Sequence, residues 1–302
     1  MYLHNAPDAF TEIVHKVQCE TGYELQIIEK DYYVSMLLKA LSETDIDFVF
    51  KGGTSLSKAY KVIHRFSEDI DLAVTQRPTQ GERVRMSDAV MECAEKIGLQ
   101  ITNRDSIHRR SNFNRFVFAY RSAFIQTSVS PQIIVEIFVT LPAFPTSKMR
   151  IDSFVGNILT KYNPAVLAEY ELQPFDMSVQ SITRTFTDKV FALCDYYLLG
   201  KAQRYSRHIY DIYQMLNTIS LEDIDAQLIE AVRSERRKDA KCLSAKDGMN
   251  PTEILTTILA ENYFRDDYTE ITRKLLFEEV SYEQAVTALQ KIIDSDIFTR
   301  NQ

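Results

Sequence analysis

Two aspartates spaced two residues apart, Asp69 and Asp71, are the side chains of this chain best suited to chemistry. They lie in the run 69–74, DIDLAV, whose apolar residues predict a core strand. Residues two apart on a strand project to the same face, so we expect the two carboxylates side by side. They repel each other unless a cation lies between them, and Mg2+ prefers such oxygen ligands. The pair therefore predicts a metal site.

A glycine pair and two small hydroxyl residues precede this strand, in the order Gly52-Gly53-Thr54-Ser55. The run 47–50 predicts a short strand, and the glycines then permit a sharp turn and the close approach of a ligand. Either hydroxyl residue can cap a helix that begins there, and backbone N–H groups at a helix start suit phosphates. The sequence differs from a Walker P-loop because Ser57 takes the place of the glycine before Lys58. A phosphate cradle followed by paired carboxylates indicates metal-assisted phosphoryl or nucleotidyl transfer.

A third carboxylate, Glu136, lies in the most strand-like run of the chain, residues 132–140. The rest of this run is apolar on both faces, and a lone carboxylate in a buried strand is costly unless it is paired or bound to a metal. Glu136 is therefore either a third metal ligand or a core glutamate that is hydrogen-bonded to a neighbouring arginine. The Asp69 and Asp71 pair favours the metal.

The composition is that of an ordinary globular protein. The chain has 302 residues, which is enough for two domains. Of these residues, 45% are apolar and 25% are charged. No apolar run is long enough to span a membrane and the N-terminus has no signal-peptide pattern, so we expect a cytoplasmic protein without a membrane partner. The net charge of −7 argues against a nonspecific nucleic-acid coat but permits a local basic surface. Four scattered cysteines are expected to be buried thiols: Cys19, Cys93, Cys194 and Cys242.

Helices are predicted on either side of the central unit. Apolar residues recur at helical spacing twice within residues 8–43, again over 79–98, and through most of the chain from about residue 180. Lys30 and Asp31, taken alone, are typical of a solvated helix face. The proline-containing segment 141–150 indicates a linker or domain edge.

Two basic stretches each have two interpretations. Residues 103–121 interleave arginines with aromatic residues, which can bind nucleic acid but equally describes a solvated hairpin with an aromatic inner face. Farther along, four residues lie at helical spacing on one face: Arg204, Arg207, His208 and Asp211. That face suits a triphosphate or an RNA backbone, or else it is an exposed salt-bridged surface.

The glycine motif and the following run Arg65-Phe66-Ser67-Glu68-Asp69-Ile70-Asp71-Leu72 resemble the first motif of the nucleotidyltransferase superfamily. More narrowly, they resemble the AbiEii-type abortive-infection toxins, which include the mycobacterial MenT toxins. Three further stretches are similar to that family: Glu29-Lys30-Asp31-Tyr32, Arg184-Thr185-Phe186-Thr187-Asp188-Lys189, and Arg207-His208-Ile209-Tyr210-Asp211-Ile212-Tyr213. The resemblance covers about residues 25 to 217.

The resemblance implies an α+β fold. A polymerase-β-like nucleotidyltransferase core with a small mixed sheet would occupy residues 1–150, and a mainly helical domain, residues 151–302, would contribute to the active site. Asp69 and Asp71 would bind Mg2+ or Mn2+, Lys189 would contact the nucleotide phosphates, and Asp211 would complete the site. The residues expected to contact the nucleotide are Gly52, Gly53, Thr54, Ser55, Lys58 and Arg207, the last of which lies on the basic helix face described above.

The predicted function is that of a toxin that transfers NMP from an NTP to an acceptor, with the 3′ end of tRNA as the expected acceptor and an antitoxin as partner. Either Glu136 or Asp211 would accept the proton or bind the metal. One alternative is a nucleotidyltransferase that modifies a protein or a small molecule. Another is a nucleotide-binding module without catalysis, which the repelling pair Asp69 and Asp71 argues against.

Overall fold

The computed structural model describes residues 1–125 and 129–299. The chain divides into two compact units. The first comprises Met1–Ala59 and Ser67–Val179, and the second comprises Tyr60–Phe66 and Gln180–Gln302. The sheet belongs to the first unit, and the second is helical, as the α+β prediction requires. The predicted domain boundary at residue 150 stays a prediction, but the compact units change over at residue 180.

A seven-stranded mixed sheet forms the centre of the first unit, with strand order β3-β4-β5-β2-β1-β7-β6. β1 runs antiparallel to β2 and parallel to β7, β2 runs parallel to β5, and β4 runs antiparallel to β3 and β5. The two strands predicted around the carboxylates are therefore neighbours. The bounds are β1 Val49–Lys51, β2 Asp69–Ala73, β3 Gln100–Ile101, β4 Phe113–Ala119, β5 Gln132–Phe138, β6 Thr146–Ile151 and β7 Phe175–Gln180.

Burial alternates along the central strands, which shows that the two faces of the sheet differ. Phe116 of β4, Val135 of β5 and Ile70 of β2 are fully buried, whereas the residues on either side of them are more exposed. A sheet with one face packed on the core and the other open has this period of two. Asp69 and Asp71 project to the open face.

The α-helices of the first unit are α1 Pro7–Thr21, α2 Leu25–Ser42, α3 Gly52–Lys58, α4 Gln80–Lys96, α5 Phe154–Tyr162 and α6 Pro164–Glu169. The apolar spacing over 8–43 and 79–98 predicts α1, α2 and α4, and the glycine motif predicts the start of α3, but α5 and α6 are not predicted. The helix predicted over 79–98 begins with a capping box, in which Thr79 accepts a hydrogen bond from the N–H of Glu82 and the Glu82 carboxylate accepts one from the N–H of Thr79. α3 starts directly after β1, so the glycine motif is the first turn of a short helix.

The solvated helix face predicted for Lys30 and Asp31 is wrong. Lys30 is 3% exposed, and its ammonium group pairs with Glu68 and donates to the carbonyl of Ser130 at 3.1 Å. Asp31 pairs with Lys58. These partners are 27 or more residues away in sequence, so spacing along α2 cannot reveal them. The charges of α2 instead connect this helix to the segments that contain Lys58, Glu68 and Ser130.

Helices make up most of the second unit, as predicted for the chain after residue 180. They are α7 Ile182–Leu198, α8 Arg207–Met215, α9 Ala226–Arg237, α10 Pro251–Glu261, α11 Arg265–Glu270 and α12 Tyr282–Ser295. The segment 60–66 joins them through an antiparallel bridge between Arg65 and Leu276. The N–H of Phe66 donates to the carbonyl of Leu275, and the N–H of Phe277 donates to that of His64, both at 2.8 Å. This bridge fixes the backbone that carries Arg65.

Three of the four cysteines are buried, as predicted, but Cys19 is exposed. Among residues 1–125 and 129–299, no α-helix combines the length and the apolar character that a membrane span requires.

Candidate active site

Four charged residues lie in one row across neighbouring strands of the first unit. Lys51 of β1 is the register partner of Asp71 of β2, Asp71 is the partner of Glu136 of β5, and Glu136 is the partner of Arg115 of β4. Register partners project to the same face of a sheet. Arg115 Nε lies 3.6 Å from Glu136 Oε1. The row therefore places two carboxylates side by side, with one cation at each end.

Asp69 adds a third carboxylate to this face, two residues before Asp71 on β2. Burial, followed by the charges of Asp71 and Asp69, raises the pKa of Glu136 to about 7, against the opposing effect of Arg115 and Lys51. The negative charge of the cluster thus outweighs the effect of its own cations on Glu136. Of the two interpretations of Glu136, the arginine neighbour is present, and the role as a metal ligand stays a prediction.

Gly52 allows the start of α3 to lie directly against Asp71. Its φ is +77°, and a Cβ atom added there would lie 1.9 Å from Asp71 Oδ2. Any other residue would displace the carboxylate as well as strain the backbone. This explains in physical terms why the first residue of α3 is a glycine.

The hydroxyl groups of Thr54 and Ser55 are buried and bonded within the protein. Thr54 Oγ1 donates to the carbonyl of Asp69 at 2.6 Å and lies 2.9 Å from Ser67 Oγ. Ser55 Oγ donates to the carbonyl of Gly52 at 2.9 Å. The Thr54 contacts tie α3 to the beginning of β2, whereas the Ser55 bond lies within α3. The contact of Gly53, Thr54 and Ser55 with the triphosphate stays a prediction. Because the two hydroxyl groups are already bonded within the protein, the backbone N–H groups of these residues would make that contact.

Lys58 lies in a buried network. Its Nζ donates to Asp31 Oδ1 at 2.5 Å, to Ser35 Oγ at 2.7 Å and to the carbonyl of Asp152 at 3.3 Å. An ammonium group has three N–H donors, and these partners match that number. Asp31 also accepts from the N–H of Phe154 at 2.8 Å. The contact with a nucleotide predicted for Lys58 is untested, and this environment argues against it.

A second cluster of charges lies within the helical unit. Lys189 Nζ of α7 donates to Asp211 Oδ2 of α8 at 2.7 Å and lies 3.2 Å from His208 Nδ1. Arg65 binds the same carboxylate with two hydrogen bonds, Nε to Oδ1 at 2.6 Å and Nη2 to Oδ2 at 2.8 Å. Asp211 is fully buried, and Lys189 and Arg65 nearly so. The cluster thus holds one carboxylate between two cations.

The charges in this cluster shift one another's ionisation. Burial alone would raise the pKa of Asp211, but Arg65 and Lys189 outweigh it and hold that pKa well below its usual range. Burial and then Lys189 lower the pKa of His208 well below its usual value, so the ring is neutral at pH 7. Since an ammonium group can only donate, Nδ1 accepts the hydrogen bond from Lys189. A carboxylate held so firmly in its ionised form is a poor proton acceptor.

The face predicted around Arg204 is only partly solvent-exposed. Arg204 is exposed, in a loop where its N–H donates to Asp267 Oδ1 at 2.7 Å, and Arg207 is half-buried at the start of α8. Asp211 belongs to the Lys189 cluster, so the face as a whole is not an exposed salt-bridged surface. Arg65 and Lys51 had no predicted role. The only sequence signal for Arg65 is its place at the head of the run that leads to the aspartates.

The residues that the structure describes contain no group of three or more histidine, cysteine, aspartate or glutamate side chains gathered to hold a metal ion. The donors nevertheless fit Mg2+, which in nucleotide sites takes one or two carboxylates and completes its shell with phosphate oxygens and water. Asp69 and Asp71 on one strand face provide such a pair, with Glu136 beside Asp71. The metal roles of all three stay predictions.

Comparisons with known proteins agree with the predicted family. Residues 36–291 match the family described as "Nucleotidyl transferase AbiEii toxin, Type IV TA system". The structure resembles that of MenT4, a nucleotidyltransferase toxin from Mycobacterium tuberculosis H37Rv, with a TM-score of 0.58 at 16% identity over 96% of this chain and 90% of that chain. This likeness confirms the fold, while a search of curated proteins gave no match. Because the family match covers most of the sequence, the chain belongs to the AbiEii family of nucleotidyltransferase toxins of type IV toxin–antitoxin systems.

Proposed function

We propose that this nucleotidyltransferase transfers NMP from an NTP to the 3′ end of a tRNA, with Mg2+ or Mn2+ as the metal. Membership of a type IV toxin family implies an NTP substrate and an antitoxin partner, and the acceptor and the metal are our proposals. The observation that carries the metal is the row in which Asp71 and Glu136 are register partners on the open face, with Asp69 beside them. The choice of tRNA as the acceptor rests on the resemblance to the toxin family. Carboxylates grouped in this way serve phosphoryl transfer when they hold a cation against a triphosphate.

In this proposal Asp69 and Asp71 hold the metal, and Glu136 is either a further ligand or the proton acceptor. When bound, the metal would neutralise the triphosphate and lower the pKa of the acceptor hydroxyl. Glu136 suits proton transfer because its pKa of about 7 is close to neutral pH. Asp211 suits it poorly because Arg65 and Lys189 keep it ionised. We therefore propose that Glu136 accepts the proton of the acceptor hydroxyl and that Asp211 positions Lys189.

Lys189 is proposed to contact the phosphates of the nucleotide. Two of the three N–H donors of its ammonium group point to Asp211 and His208, and these bonds leave one donor to direct at a phosphate oxygen. Arg207, half-buried at the start of α8, would offset charge on the leaving pyrophosphate. The backbone N–H groups at Gly53, Thr54 and Ser55 would bind the triphosphate.

The test is a labelling reaction with purified protein, Mg2+, total tRNA and each α-labelled NTP in turn. Asp69→Asn and Asp71→Asn are compared with Asp176→Asn, which changes an exposed aspartate on β7 of the same sheet. We expect label on tRNA from the wild type and the Asp176 variant, and none from the other two. Label on a protein or on a small molecule, and not on tRNA, would show that the acceptor is that molecule and would contradict the choice of tRNA. No label with any acceptor would contradict the catalytic proposal.

A further inference from the structure

An aromatic pair lies on the open face of the sheet, beside the carboxylates. Phe113 of β4 and Phe138 of β5 are register partners, and their ring centroids are 6.2 Å apart in an edge-to-face arrangement. Phe113 is 42% exposed and Phe138 is half-buried, whereas Phe116 and Phe118 of β4 are buried on the other face. Phe116 and Phe118 therefore form a buried aromatic face, as one interpretation of residues 103–121 predicts, whereas Phe113 lies on the opposite, open face.

Cations flank this pair on the same face. Lys51 Nζ lies 5.3 Å from the centroid of the Phe138 ring. Arg115, two residues from Phe113 on β4, has a half-exposed side chain. Exposed aromatic rings interleaved with cations are the composition of sites that bind single-stranded nucleic acid, because rings stack on bases while cations pair with phosphates.

The pair is also close to the carboxylates along the strand. Phe138 lies two residues from Glu136 on β5, which corresponds to about 7 Å of strand rise. Arg115 connects the two features, since it is the register partner of Glu136 and lies on the strand of Phe113. A base seated on the rings would therefore place its own phosphate beside Arg115, within one or two strand residues of Glu136.

We propose that Phe113 and Phe138 form a stacking platform for an unpaired base of the acceptor RNA. The choice of RNA as the source of the base rests on the proposed function. Arg115 provides a half-exposed cation beside the rings that can pair with a phosphate, which favours an anionic strand over an apolar partner. The neighbouring carboxylates would repel that phosphate, so we place it on the Arg115 side. The platform accepts any base, because every base has a flat face to stack.

The test measures RNA binding without NTP or metal, so that it does not depend on catalysis. Fluorescence anisotropy follows a labelled single-stranded oligoribonucleotide bound to the wild type, Phe113→Ala, Phe113→Trp and Phe277→Ala. Phe277 is a matched control, because it is a phenylalanine of similar exposure in the other unit. We expect Phe113→Ala to raise Kd roughly 5- to 150-fold, the range of one stacked base, and the other two variants to bind as the wild type does.

A second series replaces each nucleotide in turn with an abasic residue. One position should weaken binding to the wild type but leave binding to Phe113→Ala unchanged, because that variant has already lost the stack. Equal affinity of the wild type and Phe113→Ala for the intact strand would overturn the inference, and so would an equal loss at every abasic position. Transfer of label to tRNA alongside unchanged binding would leave the proposed function standing without the platform. Loss of binding in Phe113→Ala, with label found on protein, would support the platform and overturn the acceptor.

Discussion

Arg65 and Asp211, 146 residues apart in sequence, form a buried ion pair joined by two hydrogen bonds of 2.6 and 2.8 Å. Lys189 shares the second oxygen of the carboxylate at 2.7 Å. The antiparallel bridge at Leu276 and the packing of α7 against α8 hold these side chains in place from three separate segments. Asp211 thus neutralises two cations, and its charge sets where the Lys189 ammonium group lies.

This arrangement predicts that Asp211 matters more for stability than Arg65. Asp211→Asn leaves two buried cations without their carboxylate, and we expect a loss of about 3–5 kcal/mol in the free energy of unfolding. Arg65→Met should cost less, because Lys189 still neutralises Asp211. Urea unfolding measures both. Arg85→Met is the control: it breaks an exposed pair with Asp45, which is worth about 1 kcal/mol or less. The reverse order for Asp211 and Arg65 would contradict the assigned roles.

A pH dependence of stability is predicted from Glu136. Its pKa rises from 4.5 to about 7 on folding, so the folded state binds the proton more tightly than the unfolded state. The free energy of unfolding contributed by this group is therefore greatest below pH 4.5 and falls as the pH rises to about 7. In metal-free buffer, urea unfolding of the wild type and Glu136→Gln at a series of pH values isolates this group. The difference between the two proteins should change over that interval and be constant above it. A difference that is the same at every pH would contradict the raised pKa.

Local patterns in the sequence predicted the strands that carry Asp69 and Glu136, but not which strands lie beside them. The apolar run around Asp69 and that around Glu136 are strands, because burial selects such runs. Nothing in either run states that β2 and β5 are parallel neighbours, so the register of Asp71 with Glu136 could not be derived. The row from Lys51 to Arg115 depends on the order of four strands, which arises only from the whole fold.

Buried charges were the least predictable feature. Helical spacing gives Lys30 and Asp31 the pattern of a surface, because the residues that neutralise them lie in other segments. The buried ion pair of Arg65 could not be predicted for the same reason, because its partner Asp211 lies on a helix that is distant in sequence. The family resemblance singled out Lys189 and Asp211 as site residues, but only the structure shows that these two side chains contact each other.

Lys58 is predicted to support the fold, not to bind the nucleotide. Lys58→Met removes the cation that neutralises the largely buried Asp31, so we expect the thermal unfolding midpoint to fall. The KM for NTP in the labelling reaction should stay within about twofold of wild type, since a contact with a phosphate would change it by more. An unchanged midpoint with a raised KM would establish the nucleotide contact instead. Lys161→Met, which changes an exposed lysine of the same unit, is the control.

Gly52→Ala should damage the carboxylate site beyond the strain of its backbone. Gly22 provides the comparison, because its φ is +73° but an added Cβ atom would meet nothing within 4 Å. Both alanine variants lose about 1–2 kcal/mol from the left-handed backbone. Only Gly52→Ala also places a methyl group 1.9 Å from Asp71 Oδ2, so this carboxylate must leave its position beside Glu136. We therefore expect Gly22→Ala to retain nucleotide transfer at temperatures below its unfolding midpoint, and Gly52→Ala to lose most of it. Equal activity of the two folded variants would show that the position of the Asp71 carboxylate does not limit the reaction.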